Sequence, residues 1–495
     1  MNIKPYICEM QVSWLVKRSL QIHRNKKLYA TLLALLMLIE VFSIVIVLSS
    51  PTDSITLTST GKISDDIYAK SGLAADIQSA VNTAASAGGG TVIVPAGNWT
   101  WNGGSVTIPP GVNVIGTGLA GCYNHTTGWA PYTPQTILND TLRQQVGTAS
   151  STMFSVNPGS HDVNNPVTTS VRISGIEFVA SPPLNYTDEN GYADSAIVIN
   201  QIYNWRVDHC TFINFAGISV LGEAWSGVNV SATCYGECDH DICTLPYKLT
   251  RTNDGSSWAW GYGFYAIGMY PGTPGYGTWD THAQDFFGYY GPKLGYSIMY
   301  VEDSVLDYCR HSIDAMGGGF YCARFDLFEN SSCAYEAGLC DMHGAGYNAG
   351  RGCEIYNCTF RAISGPFANG NPVAYPWIDG DTNGLLLRGG SCLFYNNTMY
   401  GNGLTGEGAA MEHLTTLDYN CSIVAYELIN QTYIWGNTMY NGNQGFFDNT
   451  SIYVPSLGKS YSIVQNVNYF LRAPTQAKDG FTYTPYPYPI LSGGT

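Results

Sequence analysis

Residues 73–100, LAADIQSAVNTAASAGGGTVIVPAGNWT, change from a helical to a strand pattern within one short stretch. The i, i+3, i+4, i+7 spacing of a buried helix face is followed by Ile77, Ala80, Val81 and Ala84. Gly88-Gly89-Gly90 then ends the helix, because glycine readily adopts the conformations found at a helix C-terminus. The apolar run TVIVPAG is typical of a short strand. The stretch therefore predicts an amphipathic helix that leads directly into β-structure.

A six-residue unit recurs through the rest of the chain. It mostly opens and closes with an apolar residue and often has Cys, Asn, Ser or Asp at its fourth place. The units are ISGIEF (173–178), VDHCTF (207–212), VEDSVL (301–306), ARFDLF (323–328), IYNCTF (355–360), FYNNTM (394–399) and IWGNTM (434–439). The shortest interval, 22 residues from 301 to 323, is about one β-helix coil, so the longer intervals predict coils with inserted loops.

The fourth place of this unit predicts an internal ladder, because a polar side chain there can bond its neighbours in the coils above and below. Four residues share the place: Cys210, Cys358, Asn397 and Asn437. We interpret these cysteines as small buried ladder residues and not as nucleophiles.

The helix, the glycine turn, TVIVPAGNW and IPPGVNVIGTG (108–118) resemble the N-terminal cap and first coils of the pectate-lyase-like right-handed parallel β-helix superfamily. The Pro-rich segment YTPYPYPIL (483–491) resembles an ending common in that superfamily. The resemblance implies an all-β, right-handed parallel β-helix (a solenoid) with an N-terminal capping helix over residues 71–482. A long loop insertion is expected at about 222–296, and a Pro/Tyr-rich tail at 483–495. The implied partner is polysaccharide, but the superfamily includes lyases, hydrolases, esterases and non-catalytic adhesins.

Composition agrees with a turn-rich β protein and excludes one class of partner. Only 12% of the residues are charged, while the chain contains 56 Gly and 36 Tyr. The formal net charge of −15 argues against nucleic acid, because phosphate binding needs a basic face.

The N-terminal region predicts a membrane anchor. Residues 28–48 form an apolar run with one interruption, Glu40, and are long enough as a helix to cross a bilayer. Residues 1–27 would be a cytoplasmic basic tail and residues 49–70 a spacer, with the bulk of the chain outside the cell by the positive-inside rule. If the segment is cleaved as a signal, the protein is secreted instead.

An outside location agrees with the 14 cysteines and with eleven N-x-S/T sequons, which predict disulfides and a glycoprotein. In CYGECDHDIC (234–243) the three cysteines are crowded as in a metal site, but their spacing is not that of a zinc ribbon. We therefore predict a disulfide-pinned loop there.

Ionisable residues are expected to collect on one face of the solenoid. The candidate catalytic residues are Arg310, His311, Asp341, His343 and Arg388. His311 and His343 each lie twelve residues before the next coil start, which predicts that their rings stack on neighbouring coils about 4.8 Å apart if no insertion intervenes.

Two catalytic mechanisms remain open for this face. In a lyase, His343 or His311 would be the base, Arg388 or Arg310 would neutralise a uronate, and Asp379 with Asp381 would bind a cation. Ca²⁺ is compatible with that arrangement, although the sequence requires no cofactor. In a hydrolase the two carboxylates would be Asp341 with Asp314 or Asp381.

The motifs of known enzymes in the superfamily are missing. Polygalacturonases carry Asn-Thr-Asp, Asp-Asp, Gly-His-Gly and Arg-Ile-Lys, whereas this chain has only Met-His-Gly and Asp-Thr-Asn. The Arg-x-Pro-x-x-Arg-type signature of calcium-dependent pectate lyases is not found either. A structural role for the ionisable face therefore stays open beside a catalytic one.

Aromatic residues in the predicted insertion are candidates for sugar binding, because sugar rings stack on exposed aromatic faces. They are Trp258, Trp260, Tyr262, Trp279, Tyr289 and Tyr290. The alternative is that the loop uses them for a small core of its own.

Together these features predict an extracytoplasmic, carbohydrate-active β-helix protein, foremost a pectate-lyase-like polysaccharide lyase. A non-catalytic glycan-binding adhesin or cell-envelope component is the first alternative, and a glycoside hydrolase is the second.

Overall fold

A computed structural model describes most of the chain beyond residue 65. The described residues are 66–119, 123–124, 128–129, 133–141, 152–157, 169–180, 195–215, 217–224, 234–244, 261–268, 297–329, 337–344, 349–361, 382–400, 410–416, 428–441, 443–447, 451–454, 458–480, 483 and 485.

Three parallel sheets run along the molecule, and successive strands of the chain pass from one sheet to the next. The first sheet has twelve strands, in the spatial order β1 (Ile67–Tyr68), β2 (Gly90–Ile93), β5 (Val112–Ile115), β12 (Val171–Ser174), β15 (Tyr203–Asp208), β18 (Cys234–Asp239), β21 (Ser297–Glu302), β24 (Phe320–Arg324), β27 (Gly352–Tyr356), β30 (Ser391–Tyr395), β33 (Thr432–Trp435) and β38 (Tyr469–Phe470).

The second sheet has ten strands: β3 (Gly97–Trp101), β10 (Thr136–Asp140), β13 (Ile176–Ala180), β16 (Thr211–Ile213), β19 (Ile242–Thr244), β22 (Val305–Asp307), β25 (Leu327–Glu329), β28 (Thr359–Arg361), β31 (Thr398–Tyr400) and β34 (Thr438–Tyr440). The third also has ten: β4 (Val106–Ile108), β11 (Thr152–Val156), β14 (Ser195–Asn200), β17 (Ile218–Glu223), β20 (Tyr262–Ile267), β23 (His311–Met316), β26 (Ala337–Met342), β29 (Thr382–Leu387), β32 (Ala410–Leu414) and β35 (Asn443–Phe447). This arrangement confirms the predicted parallel β-helix.

Three small antiparallel pairs lie outside these sheets. They are β6 (Gly118–Leu119) with β9 (Thr133–Pro134), β7 (Tyr123–Asn124) with β8 (Gly128–Trp129), and β36 (Ser451–Val454) with β37 (Lys459–Ser462).

The predicted capping helix is present as α1 (Ala74–Ser86). Its buried residues are Ile77, Ala80, Val81 and Ala84, the face given by the sequence periodicity. The helix contacts β1, β2, β4 and β5, the first strands of the solenoid. It therefore lies against the N-terminal end of the β-helix, as a cap does. A second, four-residue helix, α2 (Gln476–Asp479), lies near the C-terminus.

The six-residue units stack in register through the body of the solenoid. Their first places pair from coil to coil along the first sheet: Ile173, Val207, Cys238, Val301, Ala323, Ile355, Phe394 and Ile434. The column includes one unit that the sequence analysis did not recognise, CDHDIC (238–243). The interval predicted as a long insertion, about 222–296, thus contains β18, β19 and β20, one strand in each of the three sheets.

The predicted disulfide-pinned loop at 234–243 is wrong for the same reason. Cys234 and Cys238 lie on β18 and Cys243 on β19, and all three are buried free thiols within the core. Cys238 and Cys243 occupy the first and sixth places of the unit, which point inward. Their crowding therefore comes from the coil pattern.

The predicted ladder at the fourth place is confirmed. At five steps the backbone N–H at that place donates to the fourth-place side chain of the next coil: Cys210 to Asp241 (2.7 Å), Asp241 to Ser304 (3.1 Å), Ser304 to Asp326 (2.9 Å), Cys358 to Asn397 (2.9 Å) and Asn397 to Asn437 (2.8 Å). The preceding, third place has a left-handed backbone in every unit, for example φ 53° at His209 and φ 55° at Asn396. The chain turns there from the first sheet into the second.

Stacked aromatic rings fill part of the interior. Phe178 stacks on Phe212 with centroids 5.4 Å apart, and Phe328 on Phe360 at 4.7 Å. All four are buried, and burying such a side chain contributes about 1.5–3 kcal/mol each. Successive coils are thus held together by both hydrogen bonds and apolar packing.

The membrane-anchored localisation predicted from the sequence is corrected at this point. Among the residues that the structure describes, no helix is long and apolar enough to cross a membrane. The longest of them, the 13-residue α1, is shorter than the roughly 20 residues that a bilayer requires. The predicted anchor, residues 28–48, lies outside the described residues.

Candidate active site

Ionisable side chains from four neighbouring coils meet on the third sheet. Strands β20, β23, β26 and β29 lie side by side there. They supply six residues that we call the third-sheet cluster: Tyr262, His311, Asp314, Asp341, His343 and Arg388. Strand register brings them together, because Tyr262 pairs with His311, and Ile313 pairs with Cys340, next to Asp341.

Asp341 is held by a buried ion pair. Arg388 donates from Nε to Oδ1 at 3.1 Å and from Nη2 to Oδ2, so both oxygens of the carboxylate accept from one guanidinium. Asp341 is wholly buried, and 4% of the Arg388 side chain is exposed. A two-point contact of this kind stabilises the carboxylate and fixes its plane.

His343 lies between the two acids. Its Nε2 is 3.0 Å from Oδ2 of Asp314 and 3.3 Å from the hydroxyl of Tyr262, while its Nδ1 is 3.5 Å from Nη2 of Arg388. With 13% of its side chain exposed, His343 is more accessible than Asp314, Asp341 or Arg388. The imidazole therefore marks the side from which a ligand would approach.

Asp314 has a different environment from Asp341. Its carboxyl group is wholly buried, and neither oxygen has a hydrogen bond within the described part of the chain. The Nε2 of His343 is within ion-pairing distance but is not directed for a hydrogen bond. Burial and the nearby charge of Asp341 raise the pKa of Asp314 well above its usual value. Asp314 therefore keeps its proton to a higher pH than an ordinary aspartate does.

His311 is a neutral, buried imidazole. Its Nδ1 donates to the backbone carbonyl of Gly338 at 3.0 Å, which leaves Nε2 as the unprotonated nitrogen. Burial and the charges of Arg310 and Arg388 lower its pKa well below the usual value. Nε2 lies 3.5 Å from Asp341. His311 is thus better suited to packing and orienting the cluster than to carrying a charge.

The expectation that His311 and His343 occupy equivalent positions is wrong. Ile313 is in register with Cys340, and Ala323 is in register with Ile355. Ala323 follows Ile313 by ten residues, whereas Ile355 follows Cys340 by fifteen. The later coil is five residues longer between the third and first sheets, so His343 falls beyond the end of β26 while His311 begins β23. Their ring centroids are nevertheless 6.4 Å apart, at an interplanar angle of 68°.

The structure brings together the five residues predicted as catalytic, and it places Tyr262 among them instead of on an exposed loop. Arg310 lies with its Cζ 5.8 Å from the centroid of the Tyr262 ring. Tyr262 is buried inside the cluster, so it is not the exposed sugar-stacking platform that we expected. The remaining predicted residues lie outside the described part of the chain: Trp258, Trp260, Trp279, Tyr289, Tyr290, Asp379 and Asp381.

The sequence analysis missed one supporting residue. Tyr321 lies on β24 and is buried in the core, and its hydroxyl donates to the backbone carbonyl of Asp341 at 3.0 Å. Tyr321 therefore reaches across the solenoid and fixes the strand that carries Asp341. The two residues are 20 positions apart, and no motif in the sequence connects them.

Three members of the cluster have the donor atoms of a metal site. Single donor atoms of Asp314, Asp341 and His343 lie within 4.8 Å of one another. Calcium prefers six to eight oxygen ligands, whereas this set offers a nitrogen and a carboxylate whose two oxygens already accept from Arg388. The described residues therefore fit Ca²⁺ poorly, and the chemistry of the cluster is better explained by its two acids.

Comparison with known proteins gives a likeness of fold. No protein-family model matches the sequence, and no curated protein does. Among solved structures, the chain is similar to an alginate lyase from Paenibacillus sp. str. FPU-7, with 13% identity, 77% of this chain and 97% of that chain covered, and a TM-score of 0.42. It is also similar to a polygalacturonase from Erwinia carotovora ssp. carotovora, with 11% identity, 78% and 95% coverage, and a TM-score of 0.44.

A third similar structure is PfbA, a surface adhesin of Streptococcus pneumoniae, with 12% identity, 79% and 91% coverage, and a TM-score of 0.33. The three likenesses concern the fold alone. No residue role is transferred from any of them.

Proposed function

We propose that the protein is a glycoside hydrolase that cleaves a polysaccharide at the third-sheet cluster. The observation that carries the proposal is the unequal state of two neighbouring buried acids, Asp314 and Asp341. Burial raises the pKa of Asp314 well above its usual value, whereas both carboxylate oxygens of Asp341 accept hydrogen bonds from Arg388. Pairs of titratable groups with opposed environments are the usual basis of acid and base roles in one site.

The chemistry assigns one role to each acid. Asp314 would protonate the leaving glycosidic oxygen, which requires a carboxyl group that keeps its proton at neutral pH. Asp341 would act from the carboxylate side, either on the anomeric carbon or on a water molecule. His343 contacts Asp314 and is the more exposed residue, so it would orient the sugar at the mouth of the cluster.

A sugar polymer is the substrate class for two reasons. The sequence resembles the pectate-lyase-like superfamily in its cap, its coil unit and its ending. The cluster also lies on the third sheet, whose strands from successive coils run side by side, so an extended chain along this sheet would meet the cluster at the partly exposed His343.

A lyase is the second candidate, and the contact between His343 and Tyr262 favours it. The Tyr262 hydroxyl lies 3.3 Å from Nε2 of His343, so the pair could supply a base and an acid to one sugar. Two features weigh against a lyase. Arg388 is already paired with Asp341 and is less available to neutralise a uronate, and the Asp341 charge would repel that group.

The test is to incubate the purified full-length protein with a panel of neutral and uronate-containing polysaccharides. Release of reducing ends without an unsaturated product supports the hydrolase, whereas ultraviolet absorbance from a new double bond identifies a lyase. Asp314→Asn and Asp341→Asn should each lower kcat by about 10²–10⁴. Asp326→Asn is the matched control, because Asp326 is equally buried but belongs to the interior ladder.

Two outcomes would contradict the proposal. Full activity in Asp314→Asn would remove the acid role from Asp314. Glycan binding without cleavage across the whole panel, unchanged in both Asp variants, would favour the non-catalytic binding protein.

A further inference from the structure

Cysteine is unusually frequent inside the solenoid, and one pair of cysteines occupies neighbouring coils. The described part of the chain contains ten free cysteines, all of them buried. Among the parallel strand pairs in the described part of the chain, only one places two cysteines opposite each other in register, Cys353 and Cys392. The other cysteines on paired strands lie opposite residues of other types. Cys322, for example, lies opposite Tyr300 on one neighbouring strand and Glu354 on the other.

The geometry of this pair is close to that of a disulfide. Cys353 lies on β27 and Cys392 on β30, which are hydrogen-bonded neighbours. Adjacent strands are about 4.8 Å apart, inside the range of about 4.4–6.8 Å that disulfides span between Cα atoms. Both side chains are fully buried in the same core, and their Sγ atoms are 3.1 Å apart. A small change of side-chain torsion would bring the sulfurs to bonding distance.

We propose that Cys353 and Cys392 form a disulfide that links two successive coils of the β-helix when the protein folds in an oxidising environment. The two thiols lose two protons and two electrons, and one S–S bond forms. A small-molecule disulfide such as oxidised glutathione accepts the electrons by exchange and is reduced to two thiols. The link closes a segment of 39 residues and so restricts the unfolded chain.

The position of the pair decides when the bond forms. Both thiols are shielded by the folded solenoid, and burial raises the pKa of Cys392 well above its usual value. The thiolate is the form that attacks a disulfide, so exchange in the folded protein is slow. The oxidant must therefore be present during folding, before the two coils close over the sulfurs.

The bond would lie next to Tyr321, the residue that supports the strand carrying Asp341. Tyr321 pairs in register with Cys353 and donates to the backbone carbonyl of Asp341. Cross-linking the next two coils would stabilise the column of residues on which Tyr321 packs. This proposal does not depend on the glycoside hydrolase activity, because it rests on the cysteine pair alone.

The experiment refolds the full-length protein with reduced and oxidised glutathione, blocks the remaining thiols under denaturing conditions and maps the peptides without reduction. The expected result is one cross-linked peptide pair containing Cys353 and Cys392. In protein folded under reductant and treated with the same oxidant afterwards, the pair should form at least tenfold more slowly. The midpoint of thermal unfolding should be several degrees higher for the oxidised protein, and reduction should abolish the difference.

The matched variants are Cys392→Ser, which should lose the cross-link and the shift in midpoint, and Cys322→Ser, which should keep both. The proposal is overturned if Cys353 and Cys392 are both alkylated in protein folded with oxidant. It is also overturned if the cross-link joins other cysteines. The peptide map of the unmodified sequence gives this answer even where a variant does not fold.

Discussion

Arg388 and Asp341 form a buried two-point ion pair at the base of the third-sheet cluster, and Asp314 on the adjacent coil lacks such a pair. Single donor atoms of Asp314 and Asp341 lie within 4.8 Å of each other, yet the Arg388 guanidinium makes its two-point contact with Asp341. This inequality supports the assignment of an acid and a carboxylate, and it makes Arg388 a positioning residue for Asp341.

Arg388→Met should destabilise the fold by about 3–5 kcal/mol, because it leaves Asp341 as an unpaired charge in a buried site. Urea unfolding followed by circular dichroism measures the change. In the double variant Arg388→Met with Asp341→Asn the charge is also removed, so much of the stability should return. An equal loss in the single and the double variant would show that Arg388 acts through packing and not through the ion pair.

The pH dependence of activity should report the proton on Asp314. The pKa of this carboxyl is raised by burial and by Asp341, so the acid form persists to a higher pH than in an ordinary aspartate. We expect kcat to fall as the pH rises through that raised pKa, since the carboxyl then loses the proton that it must donate. The descending limb should disappear in Asp314→Asn, along with most of the activity, and should be unchanged in Asp326→Asn. A profile that rises with pH would instead indicate a base.

Much of the architecture could be predicted because it depends on local periodicity. The buried face of α1 follows from the spacing of Ile77 to Ala84, and the coil stacking follows from the six-residue unit. The unit at 238–243 was missed because its two cysteines resembled a cross-linked loop. Only the register of Cys238 with Val207 and Val301 identifies it as a coil.

The sequence predicted which residues come close together at the candidate site, but not how they are arranged. His311, Asp341, His343 and Arg388 do meet, because neighbouring coils bring β23, β26 and β29 side by side in the third sheet. The five-residue difference between two coils changes the register of His343, and such a difference has no signature without knowledge of strand pairing. The contact of Tyr321 with Asp341 crosses the solenoid interior, which no local pattern can indicate.

His240 should make stability depend on pH near neutrality. Burial would lower its pKa, but the hydrogen bond and charge of Asp239 outweigh this effect and raise it. The folded state therefore binds the proton more tightly than the unfolded state does. The stabilisation is complete below the unfolded pKa of about 6.5 and is lost as the pH rises through the raised folded value.

The variant His240→Asn tests this dependence. Asparagine tolerates the left-handed backbone at this place, because Asn357 and Asn396 occupy the same place in other coils. Urea unfolding at several pH values should show a smaller loss of stability between mildly acidic and mildly alkaline solution than in the unmodified protein. If the slope with pH does not change, the proton on His240 is not coupled to folding.

The interior ladder should become more stable when its aspartates are replaced by asparagine. Oδ1 of Asp326 accepts from the backbone N–H of Ser304, while Oδ2 has no hydrogen bond within the described residues. In the equivalent place, Asn397 accepts through Oδ1 and also donates through Nδ2 to the carbonyl of Ile355 at 3.1 Å. An amide at 326 would supply the same donor, which is worth about 1–3 kcal/mol in a buried site.

The pH dependence of this gain follows from the direction of the shift. Burial raises the pKa of Asp326 well above its usual value, so the folded state retains a proton that the unfolded state loses above about pH 3.9. The native aspartate therefore costs stability progressively as the pH rises from that value. Asp326→Asn should raise the urea midpoint at pH about 7 and give little gain at pH about 4. Asn397→Asp should show the reverse, and a destabilised Asp326→Asn at neutral pH would mean that the carboxyl is fully satisfied in the fold.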